Sequence, residues 1–496
     1  MKTIKLILGI FILCTCVSYA QEAANKYSSS EITDTEIYSH IEYLASPILG
    51  GRLKGSKGDV LSQQYLSKQL QSYGCEPKGD TAYMQTIYLR QSSDDKFTAD
   101  SVKITGRDSS FILNPRDVRL MQISANGTAN GQLVFAGYGI LSENRNDLLN
   151  TEGVEVDIKG KIVILIDVIP DDFYLYEYNL RFCTKLAEKI KSFESRKPAG
   201  FIVIRTDRDT SLMITDNSYW YYVNSGIPVI NIRRNVVAGI MQSEGYNLDS
   251  LQKRINRYGK PNCLPLENSY IAFRDKARRH YIKTTNIAGF IEGSDPELSK
   301  EVIVIGAHYD HVGGNGRTSG ICYGADDNAS GTAAVLEIAQ KLSAEKYKLK
   351  RSVLVMFFGA EEGGLKGSEY FVNSAEFSRY NIVSMINFDM IGRLRNNELT
   401  VYTNLNIPIH DTEFNTFNEG YNLTLKYEAS YEGRSDQNSF HYKGIPIIAF
   451  FTGLHEDYHT PKDLPGKINR AGAYLITNFG YDIIYHLCTT ENPIKK

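Results

Sequence analysis

The run Glu301-Val-Ile-Val-Ile-Gly-Ala-His308 decides how this chain is read. It is an almost unbroken apolar stretch rich in β-branched side chains, which reads as a strand buried on both faces, and it ends on a histidine. Two further runs have the same form. Arg351-Ser-Val-Leu-Val-Met-Phe-Phe358 leads into Gly359-Ala-Glu-Glu362, and Ile382-Val-Ser-Met-Ile-Asn-Phe388 leads into Asp389. In an open α/β sheet, sites form beyond the carboxyl ends of the strands. Polar side chains placed there repeatedly are hard to explain as solvated loop residues.

After about Thr284 the chain alternates strand, loop, helix and strand, the rhythm of an α/β domain with a mostly parallel central sheet flanked by helices. The helix after Gly331 carries Ala334, Val335, Ile338, Ala339 and Leu342 on one stripe, so it packs on the sheet and fixes Asp327 just upstream. Nearer the start, Thr33-x-x-Glu36 forms a capping box for a helix with Ile37, Ile41 and Leu44 on one face. A second helix carries Leu66, Leu70 and Tyr73 and stops at Gly74. Between about Gly131 and Pro265 the texture changes. Short apolar runs (Leu133-Val-Phe135, Ile162-Val-Ile-Leu-Ile166, Phe201-Ile-Val-Ile204, Val229-Ile230) alternate with Gly and Pro turns, around one helix from about Leu186 to Phe193. The expected division is therefore a leader at 1–20, an N-terminal portion at 21–130, an inserted β-rich unit at 131–265 and the sheet domain at 266–496.

With 496 residues the chain exceeds one ordinary core, and its formal charge of −2 gives no reason to expect nucleic acid or an anionic membrane as partner. Lys2 and Lys5 precede an apolar stretch from Leu6 to Val17, and Ser18-Tyr19-Ala20 offers small residues for cleavage. The mature chain is expected to start at Gln21 and to be exported, secreted or periplasmic. A lipoprotein is the rival reading, since Cys14 and Cys16 lie in the apolar stretch, yet neither follows the small residue that lipid attachment wants. No later run approaches the roughly 18–20 apolar residues that span a bilayer. Cys75, Cys183, Cys263, Cys322 and Cys488 are widely scattered, which predicts isolated thiols with at most one disulfide and no CxxC zinc site.

Zinc takes imidazole nitrogen and carboxylate oxygen in roughly tetrahedral sites, and a catalytic zinc leaves a position open. Taken singly, His308, Asp327, Glu362, Asp389 and His459 are residue types more often hydrogen-bonded or solvated than metal-bound. Together they are ligands for two zinc ions, with Asp327 bridging, His308 and Asp389 on one ion, and Glu362 and His459 on the other. Glu361 is left as the general base. Asp310, two positions after His308, is placed to orient that imidazole. His311, Asp326, His455 and Asp457 are expected to hydrogen-bond locally.

Several segments carry a resemblance: Gly306-Ala-His-Tyr-Asp-His-Val-Gly313, Gly324-Ala-Asp-Asp-Asn-Ala-Ser-Gly331, Phe358-Gly-Ala-Glu-Glu-Gly363 with Gly367-Ser-Glu-Tyr370, Asn387-Phe-Asp-Met-Ile-Gly-Arg393 and Tyr458-His-Thr-Pro-Lys-Asp463. In this order and spacing the chain resembles the M28 co-catalytic zinc aminopeptidases, typified by secreted bacterial leucyl aminopeptidases. The resemblance implies a phosphorylase/hydrolase-like zinc peptidase fold, two zinc ions and peptide substrates with a free amino terminus. In that family the bridging ligand precedes x-x-Ser-Gly, which selects Asp327 over Asp326. Asp157-Ile-Lys-Gly-Lys-Ile-Val163, Lys197-Pro-Ala-Gly-Phe-Ile-Val203 and Gly226-Ile-Pro-Val-Ile230 are similar to a protease-associated domain, and Gly51-Arg52 with Gly55 to the family's N-terminal segment. One departure is Ser435-Asp436-Gln437, where relatives often have Ser-Asp-His. Other readings are a related zinc hydrolase (carboxypeptidase, acyl-amino-acid hydrolase or glutaminyl cyclase) and a non-catalytic, receptor-like binding protein. Arg393 or Arg434 facing a substrate carboxylate would favour the carboxypeptidase.

Overall fold

A computed structural model describes residues 31–90, 100–107, 110–121, 123–142, 145–167, 186–205, 225–276, 281–314, 320–404, 412–429 and 434–494. The leader with Cys14 and Cys16, and Cys183 further on, lie outside these residues. The chain divides into two compact units, Met1–Ile87 with Ile282–Lys496, and Tyr88–Tyr281.

Among the described residues the first unit holds a nine-stranded sheet. Its centre runs Ser352–Phe358, Glu301–His308, Asn381–Phe388 and Ile447–Phe451, all mutually parallel. Its flanks turn antiparallel, at Tyr281–Ile291 on one side and Glu398–Thr403 on the other. The sheet is thus mixed: the four central strands that lead to the candidate ligands are parallel, and at the far edge Glu398–Thr403 pairs in parallel with Thr424–Ala429. Alternation along these strands feeds two cores. Ile303, Ile305, Ala307, Val353, Val355 and Phe357 face one, and Val302, Val304, Leu354, Met356 and Phe358 face the other. Each of these side chains other than Ala307 contributes about 1.5–3 kcal/mol when fully buried. Both faces being covered explains why the runs read as continuous apolar sequence.

The helix Gly331–Ala344 is buried beyond its expected stripe, because it packs on the sheet and also against Asp34–Leu44 and Arg470–Thr489. Helix Asp34–Leu44 is capped as expected. Thr33 Oγ1 accepts the Glu36 N–H at 3.1 Å, but the Thr33 N–H turns to Glu337 at 3.5 Å rather than to Glu36. Helix Lys57–Ser72 buries Leu66 and Leu70, and the left-handed Gly74 follows its cap. Cys75, Cys263, Cys322 and Cys488 are buried and, among the described residues, not joined in a disulfide.

The second unit, Tyr88–Tyr281, is β-rich among its described residues. Its eight-stranded sheet runs Ser110–Ile112, Asp100–Thr105, Leu264–Asp275, Gly127–Phe135, Ile162–Ile166, Gly200–Ile204, Val229–Ile232 and Val118–Leu120. The strands before Gly131 escape a reading by apolar runs because they are short, and Ser110–Ile112 is exposed throughout.

Candidate metal centre

The central strands deliver their polar ends to one place. His308 is the last residue of its strand, Asp389 follows Asn381–Phe388 directly, and Glu361 and Glu362 follow Phe358 across a two-residue turn. Asp327 lies in the turn Ala325–Ser330 that opens helix Gly331–Ala344, and His459 comes from the loop after Ile447–Phe451. Ala360, Met390 and His459 adopt left-handed backbone at φ 60°, 50° and 55°. Non-glycine residues are held there at some cost, typically where the surrounding structure over-determines a functional loop.

Asp327 is the hinge of the geometry. Its Oδ1 lies 3.4 Å from His308 Nε2, and its Oδ2 lies 3.1 Å from His459 Nε2. His308 Nε2 is also 3.3 Å from Asp389 Oδ1, and His459 Nε2 is 3.1 Å from Glu362 Oε2. Two sets of ligand atoms thus converge, His308 with Asp327 and Asp389, and His311 with Asp327, Glu362 and His459, and the atoms of each set lie within 4.8 Å of one another. Ligand atoms about 2.0–2.2 Å from a tetrahedral ion stand about 3.3–3.6 Å apart. Asp327 Oδ2, Glu362 Oε1 and His459 Nε2 are buried and out of line for hydrogen bonds at these short separations. Imidazole nitrogens and carboxylate oxygens left this way are of the kind that hold a metal ion.

The electrostatics point the same way. Burial acts to lower the His308 imidazole, yet the carboxylates of Glu361, Asp389 and Asp327 hold it well above its ordinary value. Burial likewise opposes a charged His459, but Asp327 and Glu362 raise it to about 10. Burial pushes the Glu361 carboxyl well up, opposed by His308 and aided by Asp436 and Asp389. Among the described residues Glu361 stands in neither group of converging ligand atoms. So many carboxylates in one buried place require compensating cations.

Asp310 is fully buried, but His308 Nδ1 meets its main-chain carbonyl at 3.2 Å rather than its carboxylate. The carboxylate instead accepts the Glu361 N–H at 2.9 Å, so it steadies the base's backbone. Asp326 stays local, as expected: it pairs with His455 at 3.1 Å and accepts the Gly392 N–H at 2.6 Å. Asp457 holds Arg393 at 2.7 Å and Lys467 at 2.6 Å. Gln437, the departure from Ser-Asp-His, accepts from Asn387 Nδ2 at 2.9 Å.

Three residues join the site that local sequence reading set aside or did not single out. His311 sits in the second ligand group. Asp436 is fully buried and raises Glu361, and burial pushes its own carboxyl to about 7. Arg52 is also fully buried. Its guanidinium donates to the carbonyls of Leu44 (2.5 Å), Tyr309 (2.6 Å), Tyr323 (2.7 Å) and Gly324 (2.9 Å). Burial lowers its pKa to about 10, against the pull of Asp327, Asp310, Asp463 and Glu362.

Fold and site together define a class, an α/β domain with a bipartite imidazole–carboxylate cluster at the carboxyl edge of its parallel strands. Residues 286–479, which contain the whole cluster, match the model of Peptidase family M28. Over 162 residues the chain is 36% identical to leupeptin-inactivating enzyme 1 of Streptomyces exfoliatus, covering 32% of this chain and 34% of that protein. Over 206 residues it is 31% identical to the probable leucine aminopeptidase 2 of Aspergillus fumigatus, covering 40% of this chain and 38% of the relative. The chain thus spans 34% and 38% of the length of these relatives. It is also similar to BSAP, a zinc aminopeptidase from Bacillus subtilis, at 19% identity and a TM-score of 0.47, covering 94% of this chain and 97% of that one.

Proposed function

We propose that this protein is a two-zinc aminopeptidase of the M28 type, removing amino-terminal residues from peptides. The observation that carries the reading is Asp327, whose two oxygens face separate imidazoles, so that one carboxylate serves two metal positions. His308, Asp327 and Asp389 would hold one zinc, and Asp327, Glu362 and His459 the other. When bound, such ions polarise a scissile carbonyl and make water more acidic. Glu361 takes the proton of the attacking water and returns it to the departing amine. Asp310 keeps the Glu361 backbone in place. Glu361, Glu362 and Asp389 together supply the negative potential that attracts a free α-ammonium.

The carboxypeptidase alternative needs a guanidinium free to face a substrate carboxylate. Arg393 is committed to Asp457, which argues against it in that role. The phosphorylase/hydrolase-like family of the fold, the protease-associated character of the second unit, and export through residues 1–20 belong to the same proposal. Among the described residues no helix is long and apolar enough to cross a membrane. The test is a panel of aminoacyl anilides, their N-acetylated forms and carboxyl-terminal substrates, each with and without chelator. Cleavage confined to free amino termini and abolished by chelator is expected. Efficient cleavage of the acetylated series would move the acyl-amino-acid hydrolase ahead.

A further inference from the structure

His311 is an imidazole without an ordinary use. Its side chain is fully buried, and its main-chain N–H is tied to the Arg52 carbonyl at 3.4 Å. Nδ1 lies 2.9 Å from Glu362 Oε1 and 3.5 Å from Asp327 Oδ2, yet neither ring nitrogen has a partner in hydrogen-bond geometry among the described residues. A buried imidazole left that way is destabilising unless something else takes up its nitrogens. A simple imidazolium–carboxylate pair at 2.9 Å would align its N–H with the oxygen, and this one does not. The ring stands edge-on to His459, with centroids 5.5 Å apart. Its place is built into the backbone. A Cβ on Gly324, itself at φ 62°, would lie 2.5 Å from His311 Cγ, so only glycine there admits the ring.

We propose that His311 is a further metal-binding side chain, joining Asp327, Glu362 and His459 through Nδ1. This rests on the two-zinc reading and deepens it, because it makes the two positions unlike. One ion then has imidazoles from His311 and His459 with two carboxylates, a full tetrahedral complement that holds it as a fixed anchor. The other has His308, Asp327 and Asp389, which leaves a position open. The asymmetry predicts one tightly held zinc and one exchangeable zinc.

The experiment combines zinc-edge X-ray absorption on the fully loaded wild-type protein with zinc titration of the wild type and His311→Gln. Three imidazoles over two ions give about 1.5 per zinc, against about 1.0 if His311 stays outside the shell. His311→Gln is expected to weaken one of the two zincs by on the order of 100-fold or more, since removing even a group behind a ligand costs roughly 10–100-fold. The wild-type absorption measurement decides the matter even if the variant fails to fold. A wild-type count near 1.0, or a folded His311→Gln chain with both affinities unchanged, overturns the proposal. Uptake of a single zinc by the wild type would sink the two-metal reading while still deciding this one: two imidazoles on that ion support His311 as a ligand, and one overturns it.

Discussion

Asp327 is the residue on which the two-zinc proposal turns. With one oxygen toward His308 and the other toward His459, it can serve two positions only while it is charged and bidentate. Glu361 is next to Glu362 in sequence but stands in neither group of converging ligand atoms, so base and ligand are separable by mutation. Glu361→Gln is expected to retain metal while losing on the order of 10²–10⁴-fold in rate, the usual worth of a placed general base. Metal analysis beside kinetics checks this, and a variant that lost both together would reassign Glu361 as a ligand. For Asp310 the geometry predicts a graded result. Asp310→Ala removes the acceptor of the Glu361 N–H and should cost roughly 10–100-fold. Asp310→Asn keeps an oxygen there and should cost less, while the carbonyl contact to His308 survives in both.

At the scale of elements, the strand ends are made into a site by what packs behind them. Arg52 comes from the N-terminal segment, far from the ligands in sequence, yet it gathers carbonyls from the loop after His308 and from the turn leading to Asp327. Its charge lies beneath the carboxylate cluster and offsets it. Removing one partner of a buried charged cluster costs about 3–5 kcal/mol. Arg52→Ala should therefore lower the unfolding free energy of the metal-free protein, read from its urea midpoint, by about 3–5 kcal/mol and also weaken metal uptake. Arg52→Lys should rescue little, because an ammonium cannot reproduce a planar fork with that many donors. An unchanged midpoint in urea would show that these contacts are not worth what their burial implies.

For the whole molecule, metal and fold are linked by mass action. If both sites bind only the native state, zinc at a hundredfold excess over Kd adds about 2.7 kcal/mol per site. Chelation should lower the melting temperature measurably, and a melting temperature indifferent to chelator would speak against sites built into the fold. All the candidate ligands belong to the unit formed by Met1–Ile87 and Ile282–Lys496. The strands bordering the other unit, Met84–Arg90 and Tyr281–Ile291, pair with each other. Joining Ile87 to Ile282 by a short linker should thus leave zinc uptake intact. Loss of metal from a folded, excised protein would show that the second unit contributes to the site.

Local sequence was enough for the parallel strands, the helix after Gly331 and the polar residues at the strand ends. Burial on both faces leaves a continuous apolar run, and a ligand just after such a run has little freedom in where it points. The edges of the second unit were not legible, because short strands such as Asp100–Thr105 take their pairing from distant partners rather than from their own periodicity. Nor was the environment of His311, Asp310 or Arg52. Each sits beside groups set apart in sequence, His311 against Glu362 and Arg52 against Tyr309 and Gly324, and only chain closure brings them together. Residue type and spacing therefore nominated candidate metal-binding side chains but left out His311, which the tertiary structure brings into a ligand group. Which imidazole shares an atom with which carboxylate depended on loop backbones, on a glycine that leaves room for a ring, and on a buried guanidinium, all of which are decided by tertiary packing.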